Sequence, residues 1–126
     1  MNEPTDKKSV LVVDDEAINI GLLAQILKGL YKVKVAKDGE KALKIAAATP
    51  PPDLILLDVM MPGIDGFEVC RRLKADPDTK NIPVVFVTGK NDAAEQAKGM
   101  ALGAAGYLHK PVDAAAVTGT LRELLD

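Results

Sequence analysis

Apolar residues in this chain fall into unbroken runs separated by stretches of helical periodicity. Val10–Val13, Leu54–Leu57 and Val84–Val87 show no alternation with polar residues. Runs of this kind read as strands buried on both faces, as in a parallel sheet. The pattern predicts strands over Ser9–Val13, Tyr31–Ala36, Asp53–Asp58, Pro83–Val87 and Ala105–His109. Between them it predicts helices over Glu16–Leu30, Glu40–Ala48, Phe67–Ala75, Ala93–Leu102 and Asp113–Leu125. The first carries Ile18, Leu22, Leu23, Ile26, Leu27 and Leu30 at helical spacing, the third Phe67, Cys70 and Leu73, and the last Val117, Leu121, Leu124 and Leu125. Asp38-Gly39 is a turn signal, and Thr49 with Pro50-Pro51-Pro52 stops the second helix. Gly103 is a C-cap candidate and Asp113 an N-cap candidate. Strands alternating with helices mean βαβ units with right-handed crossovers, so the expected class is a doubly wound α/β fold. Met1–Lys8 reads as a flexible tail and residues 9–126 as one domain.

Composition narrows the function classes. A chain of 126 residues, 48% apolar and 27% charged, has the make-up of one globular domain. A net charge of −2 with no block of Lys or Arg gives no expectation of direct nucleic-acid binding. Aromatics make up only 3% and Trp is absent, so no base-stacking platform is expected. A single Cys70 excludes an internal disulfide and a Cys-rich zinc site, and fits a reducing compartment. No run approaches the roughly 18 apolar residues of a membrane helix, and Met1–Lys8 lacks a signal-peptide core. The expectation is a cytoplasmic protein with no membrane association.

The chemistry lies where the strands stop. The first predicted strand stops at Asp14-Asp15, the third at Asp58, the fourth at Thr88-Gly89 and the fifth at Lys110-Pro111. Ligand crevices of open α/β sheets lie beyond the carboxyl ends of the strands. A lone Asp at such a place is as readily a helix cap or turn former. Three carboxylates with a lysine on the same edge are a site. Oxygen donors without clustered His or Cys suit a hard cation, Mg²⁺ first. Asp58 follows a dry strand and precedes the Gly/Pro loop Val59–Gly66, which fits a carboxylate nucleophile toward a phosphoryl group. Lys110 offers a point positive charge for phosphoryl oxygens or for Asp58 itself. Thr88 offers a hydroxyl, and Gly89 leaves its approach open.

In this order, Asp14-Asp15-Glu16, Asp58 within Leu56-Leu57-Asp58-Val59-Met60-Met61-Pro62-Gly63-Ile64-Asp65-Gly66, Thr88-Gly89, and Tyr107 with Lys110-Pro111 resemble the receiver domain of two-component response regulators. The resemblance covers Lys8 to Leu125. It implies the flavodoxin-like five-stranded order 2-1-3-4-5. It also implies that Asp58 accepts phosphate from a sensor histidine kinase or a histidine phosphotransfer protein. Mg²⁺ is implied at Asp15, Asp58 and the Met60 carbonyl, with Asp14 helping directly or through water. Thr88 and Tyr107 are implied as a switch pair that reshapes the face of the fourth helix, fifth strand and fifth helix, a surface that can serve a homodimer. Met60 and Lys90 occupy positions that tune phosphate lifetime in the family. Catalysis is limited to the protein's own phosphorylation and dephosphorylation, so it is not expected to be an enzyme in the usual sense.

By pattern alone Tyr107 is a half-buried packing residue, His109 an ordinary strand residue and Cys70 helix core. A haloacid-dehalogenase-type phosphatase needs a second Asp two residues after the first, where this chain has Met60. A flavodoxin needs a phosphate loop after the first strand, and neither nucleotide-binding glycine motif occurs. The remaining alternative is a phosphate-independent receiver-like protein-binding module. Departures from the family pattern are small: Gly103-Ala104-Ala105-Gly106 replaces more polar residues, and Gly119 interrupts the last helix. The chain reads as a stand-alone receiver or as part of a longer protein with an output domain or downstream target. Lys74–Thr88 looks most like receivers attached to cyclic-dinucleotide enzymes or hybrid kinases.

Overall fold

The computed structural model describes residues 7–89 and 93–125. Most of the expected tail, Lys90, and the final Asp126 lie outside the described residues. The elements run β1 (Ser9–Val13), α1 (Ala17–Leu27), β2 (Lys32–Ala36), α2 (Gly39–Ala47), β3 (Leu54–Asp58), α3 (Gly66–Ala75), β4 (Val84–Thr88), α4 (Ala93–Ala101), β5 (Gly106–His109) and α5 (Ala114–Leu125). All strand pairs are parallel, in the order β2-β1-β3-β4-β5. This is the flavodoxin-like order that the family resemblance implies.

The apolar runs become strands because both sheet faces are covered. β1, β3 and β4 are buried along their whole length. Side chains alternate across the sheet, so each strand feeds two cores. Leu11, Val13, Ile55, Leu57, Val84 and Phe86 pack with residues of α2 and α3, including Ala42, Val69 and Leu73. Val10, Val12, Leu54, Leu56, Val85 and Val87 pack with Leu23 and Leu27 of α1 and Val117 and Leu121 of α5. β2, at the edge, carries Lys32 exposed and Lys34 partly exposed, charges that discourage edge-to-edge pairing.

Asp side chains cap three helices. Asp38 accepts from Lys41 N at 2.8 Å, Asp65 from Glu68 N at 2.9 Å and Asp113 from Ala116 N at 3.0 Å. Gly39 is therefore the first residue of α2 rather than only a turn residue. A Cβ there would lie 2.5 Å from Ile64 Cγ1, so glycine admits the β3–α3 loop against the helix start. Gly103 ends α4 with φ +100 and donates to Met100 O at 3.0 Å, as its C-cap reading requires. The connection from Asp76 to Ile82 is ordered by Lys74, whose Nζ donates to Lys80 O and Ile82 O at 3.0 and 2.8 Å.

The first helix departs most from expectation. It ends at Leu27 because Gly29 turns the chain at φ +81, and Leu30 N and Tyr31 N both bond back to Leu27 O. Leu30 then leaves the helix and is exposed. Ile18, at 79% exposure, and Leu22 also face solvent, so only Leu23 and Leu27 of the six apolar positions are fully buried. α5 runs back to the amino edge of the sheet, where Lys8 Nζ donates to Leu125 O at 2.6 Å.

Candidate functional site

Parallel pairing places four strand ends side by side. The register matches Val13 with Leu57, Asp58 with Val87 and Thr88 with His109. Asp14, Asp58, Thr88 and Lys110 consequently gather on one edge. Lys110 N donates to Thr88 O at 2.8 Å, which fixes where the lysine leaves the sheet, and the Lys110–Pro111 peptide is cis.

The lysine ammonium joins two carboxylates. Lys110 Nζ lies 2.9 Å from Asp14 Oδ2 and 3.2 Å from Asp58 Oδ1. Asp14 and Asp58 are 1% and 4% exposed, so both charges are held out of water. The other Asp14 oxygen, Oδ1, accepts from Glu16 N at 2.9 Å at the entry to α1. Burial, aided by the Asp14 charge and more weakly by Asp15, outweighs Lys110 and pushes the Asp58 carboxyl up to about 6. At Lys110 burial works against the charge, but the hydrogen bond to Asp14 and the charges of Asp58 and Asp14 prevail and raise its pKa.

The loop after Asp58 owes its shape to Gly66. A Cβ on Gly66 would collide with the Asp58 carbonyl oxygen and lie 2.9 Å from Val59 Cα. Gly66 N donates to Val59 O at 2.8 Å, closing the loop so that α3 starts against the backbone that carries Asp58. Met60 stands exposed at the rim. Among the described residues, a Cβ on Gly89 would meet nothing within 4 Å.

The ligand oxygens of Asp14, Asp15 and Glu16 lie within 4.8 Å of one another. Asp15 and Glu16 are exposed, while both Asp14 oxygens already have donors. An all-oxygen donor set, open on one side, has the chemistry of a Mg²⁺ site that retains waters. Asp58 does not belong to this close triplet; Lys110 links it to Asp14. Glu16 was missing from the ligands expected, although it is the third residue of a contiguous acidic run.

Thr88 is fully buried at the end of β4, and Tyr107 is half-buried on β5. Their hydroxyls each lie 3.4 Å from the same oxygen, Glu95 Oε1, on the first turn of α4. The Tyr107 ring packs 5.6 Å from Phe86 and 6.0 Å from the exposed His109. Sequence periodicity gave no sign of Glu95, because an acidic residue in a helix's first turn is commonplace.

Residues 10–122 match the response regulator receiver domain. The chain belongs to that family. It is 47% identical over 116 residues to the response regulator PleD of Caulobacter vibrioides, covering 91% of this chain and 25% of PleD. It is 42% identical over 110 residues to a probable cyclic di-GMP phosphodiesterase of Vibrio cholerae, covering 87% of this chain and 25% of that protein. The receiver therefore spans about a quarter of the length of these two relatives. The structure of a putative response regulator from Chloroflexus aurantiacus superposes with a TM-score of 0.90 at 32% identity, covering 95% of this chain and 98% of that one. Receiver domains act in two-component signalling, interact with histidine kinases or phosphotransfer proteins and bind Mg²⁺ in an acidic pocket; the Asp14-Asp15-Glu16 cluster fits such binding. Among the described residues no helix is long and apolar enough to cross a membrane.

Proposed function

We propose that this receiver accepts a phosphoryl group on Asp58 from the phosphohistidine of a sensor kinase or phosphotransfer protein. The observation that carries the reading is the Lys110 ammonium held between the buried carboxylates of Asp14 and Asp58. An Asp58 oxygen attacks phosphorus in line with the P–N bond. That bond breaks, its electron pair returns to the imidazole nitrogen, and an acyl phosphate forms on Asp58. Lys110 holds the carboxylate in place and remains beside the oxygen on which negative charge accumulates. Asp15, Asp58 and the Met60 carbonyl, with Asp14 and Glu16 in support, would hold Mg²⁺; when bound it neutralises charge on the transferring group.

Buried Thr88 turns toward the phosphoryl oxygens and Tyr107 moves inward, altering the face formed by α4, β5 and α5. That face serves a homodimer or an output partner. The identity to a probable cyclic di-GMP phosphodiesterase favours a cyclic-dinucleotide enzyme as the attached output. The domain resides in the cytoplasm and catalyses only its own phosphorylation and dephosphorylation.

Intact mass after incubation with acetyl phosphate and Mg²⁺ tests the reading. Wild type is expected to gain one phosphoryl group, Asp58→Asn none, and wild type in excess EDTA almost none. Labelling of Asp58→Asn at the wild-type level, or undiminished labelling in EDTA, overturns the corresponding assignment. A folded wild type that takes no phosphate from acetyl phosphate or cognate kinases is a phosphate-independent binding module instead.

A further inference from the structure

We infer that Glu95 is a positioning residue that holds the hydroxyls of Thr88 and Tyr107 in the unphosphorylated molecule and gives up Thr88 when Asp58 carries a phosphoryl group. The inference rests on the phosphorylation of Asp58 proposed above and adds a residue to it.

Three placements converge. Phe86 and Thr88 are two apart on β4 and face the same side of the sheet, and Phe86 is in register with Tyr107 of β5. Glu95 and Gly99 are four apart on α4 and share one helix face. A Cβ on Gly99 would lie 3.0 Å from the Phe86 ring and 3.1 Å from Tyr107 Cε2. The bare glycine lets α4 lie against both rings, and the Glu95 carboxylate reaches the two hydroxyls from one turn earlier. One oxygen, Oε1, stands 3.4 Å from each.

The chemistry of that oxygen makes the arrangement a competition. A hydroxyl has one proton to donate. Thr88 donates it to Glu95 or to a phosphoryl oxygen, not to both. At 3.4 Å each bond is longer than a firm O–H···O contact, so either is readily exchanged. An acyl phosphate on Asp58 offers several strong acceptor oxygens and draws the Thr88 proton away. Glu95 is then left with Tyr107 as the partner from this pair, and the position of Tyr107 becomes dependent on where Thr88 has gone. Glu95 thereby links the two hydroxyls and favours the unphosphorylated arrangement.

The 126-residue protein labelled with 3-fluorotyrosine tests this by ¹⁹F NMR. The sequence has two tyrosines, Tyr31 and Tyr107, so Tyr31→Phe assigns both signals and the Tyr31 signal reports on the fold. In the absence of any phosphoryl mimic, Glu95→Ala is expected to move the Tyr107 resonance toward the position that beryllofluoride with Mg²⁺ induces in wild type. Glu95→Gln keeps an acceptor oxygen and stays nearer to wild type. Titration with beryllofluoride at fixed Mg²⁺ should reach its midpoint at roughly threefold lower concentration in Glu95→Ala, the effect of one modest hydrogen bond. An unmoved Tyr107 resonance with an unchanged midpoint overturns the inference, as does a Gln variant that behaves like the Ala variant. A wild type blind to beryllofluoride overturns the receiver chemistry instead, and the mimic-free spectra then still decide whether Glu95 holds Tyr107.

Discussion

At Asp58 two influences oppose a third. Burial and the Asp14 charge resist ionisation, Lys110 promotes it, and the carboxyl ends at about 6 against an ordinary 3.8. The native protein therefore binds this proton more tightly than the unfolded chain. The resulting stability is fully present below about pH 4 and is lost as pH rises through about 6. Above that range the ionised group costs up to about 3 kcal/mol in the Mg²⁺-free protein, less whatever Lys110 loses when its partner changes. Asp58→Asn should accordingly raise stability in EDTA at pH 8, and the advantage should shrink toward pH 5. Urea denaturation at the two pH values checks it; an advantage independent of pH would assign the effect to something other than this carboxyl. Asp14, Asp15, Asp58, Thr88 and Lys110 could all be nominated from sequence because each terminates a recognisable apolar run. Glu95 could not, since its meaning depends on a threonine and a tyrosine that only the pairing of β4 with β5 brings together.

Among the elements, glycines separate packing from mere tolerance. Gly66 lies against the Asp58 backbone, whereas Gly119 in α5 has nothing within 4 Å of a would-be Cβ. Gly119→Ala is expected to stabilise the protein by about 0.5–1 kcal/mol through helix propensity. Gly66→Ala is expected to destabilise it by about 1–3 kcal/mol through overpacking, and to slow labelling of Asp58 by moving the strand end. Thermal or urea unfolding of the two variants gives opposite signs if the loop geometry is as described. Five strands and five helices were readable from the pattern. The central β1, β3 and β4 leave unbroken apolar runs because they are buried on both faces, while edge strand β2 shows instead as the alternation of Lys32, Val33, Lys34 and Val35. The faces of α1 were not: six apolar residues spaced over Ile18–Leu30 cover more than one side of a helix, and the early stop at Leu27 set by Gly29 is a conformational choice. A turn signal at Asp38-Gly39 likewise hid a helix cap, since Asp before Gly serves both.

For the molecule as a whole, the sheet divides the core into two layers that share strands but few side chains. Leu27 of α1 lies in one layer and Leu73 of α3 in the other, both essentially inaccessible to solvent. Truncation of either to Ala is expected to cost about 2–5 kcal/mol. The double variant should lose close to the sum, because the cavities open on opposite faces of the sheet. A deficit well short of the sum in urea unfolding would mean that the strands transmit strain between the layers. The parallel sheet also gives the molecule a front and a back. Everything argued to do chemistry lies at the carboxyl edge, while Lys8 and the Leu125 carbonyl meet at the other. A fluorophore or surface tether attached at either of these residues therefore sits at the rear, so the domain can be immobilised there with Asp58 still facing the solution.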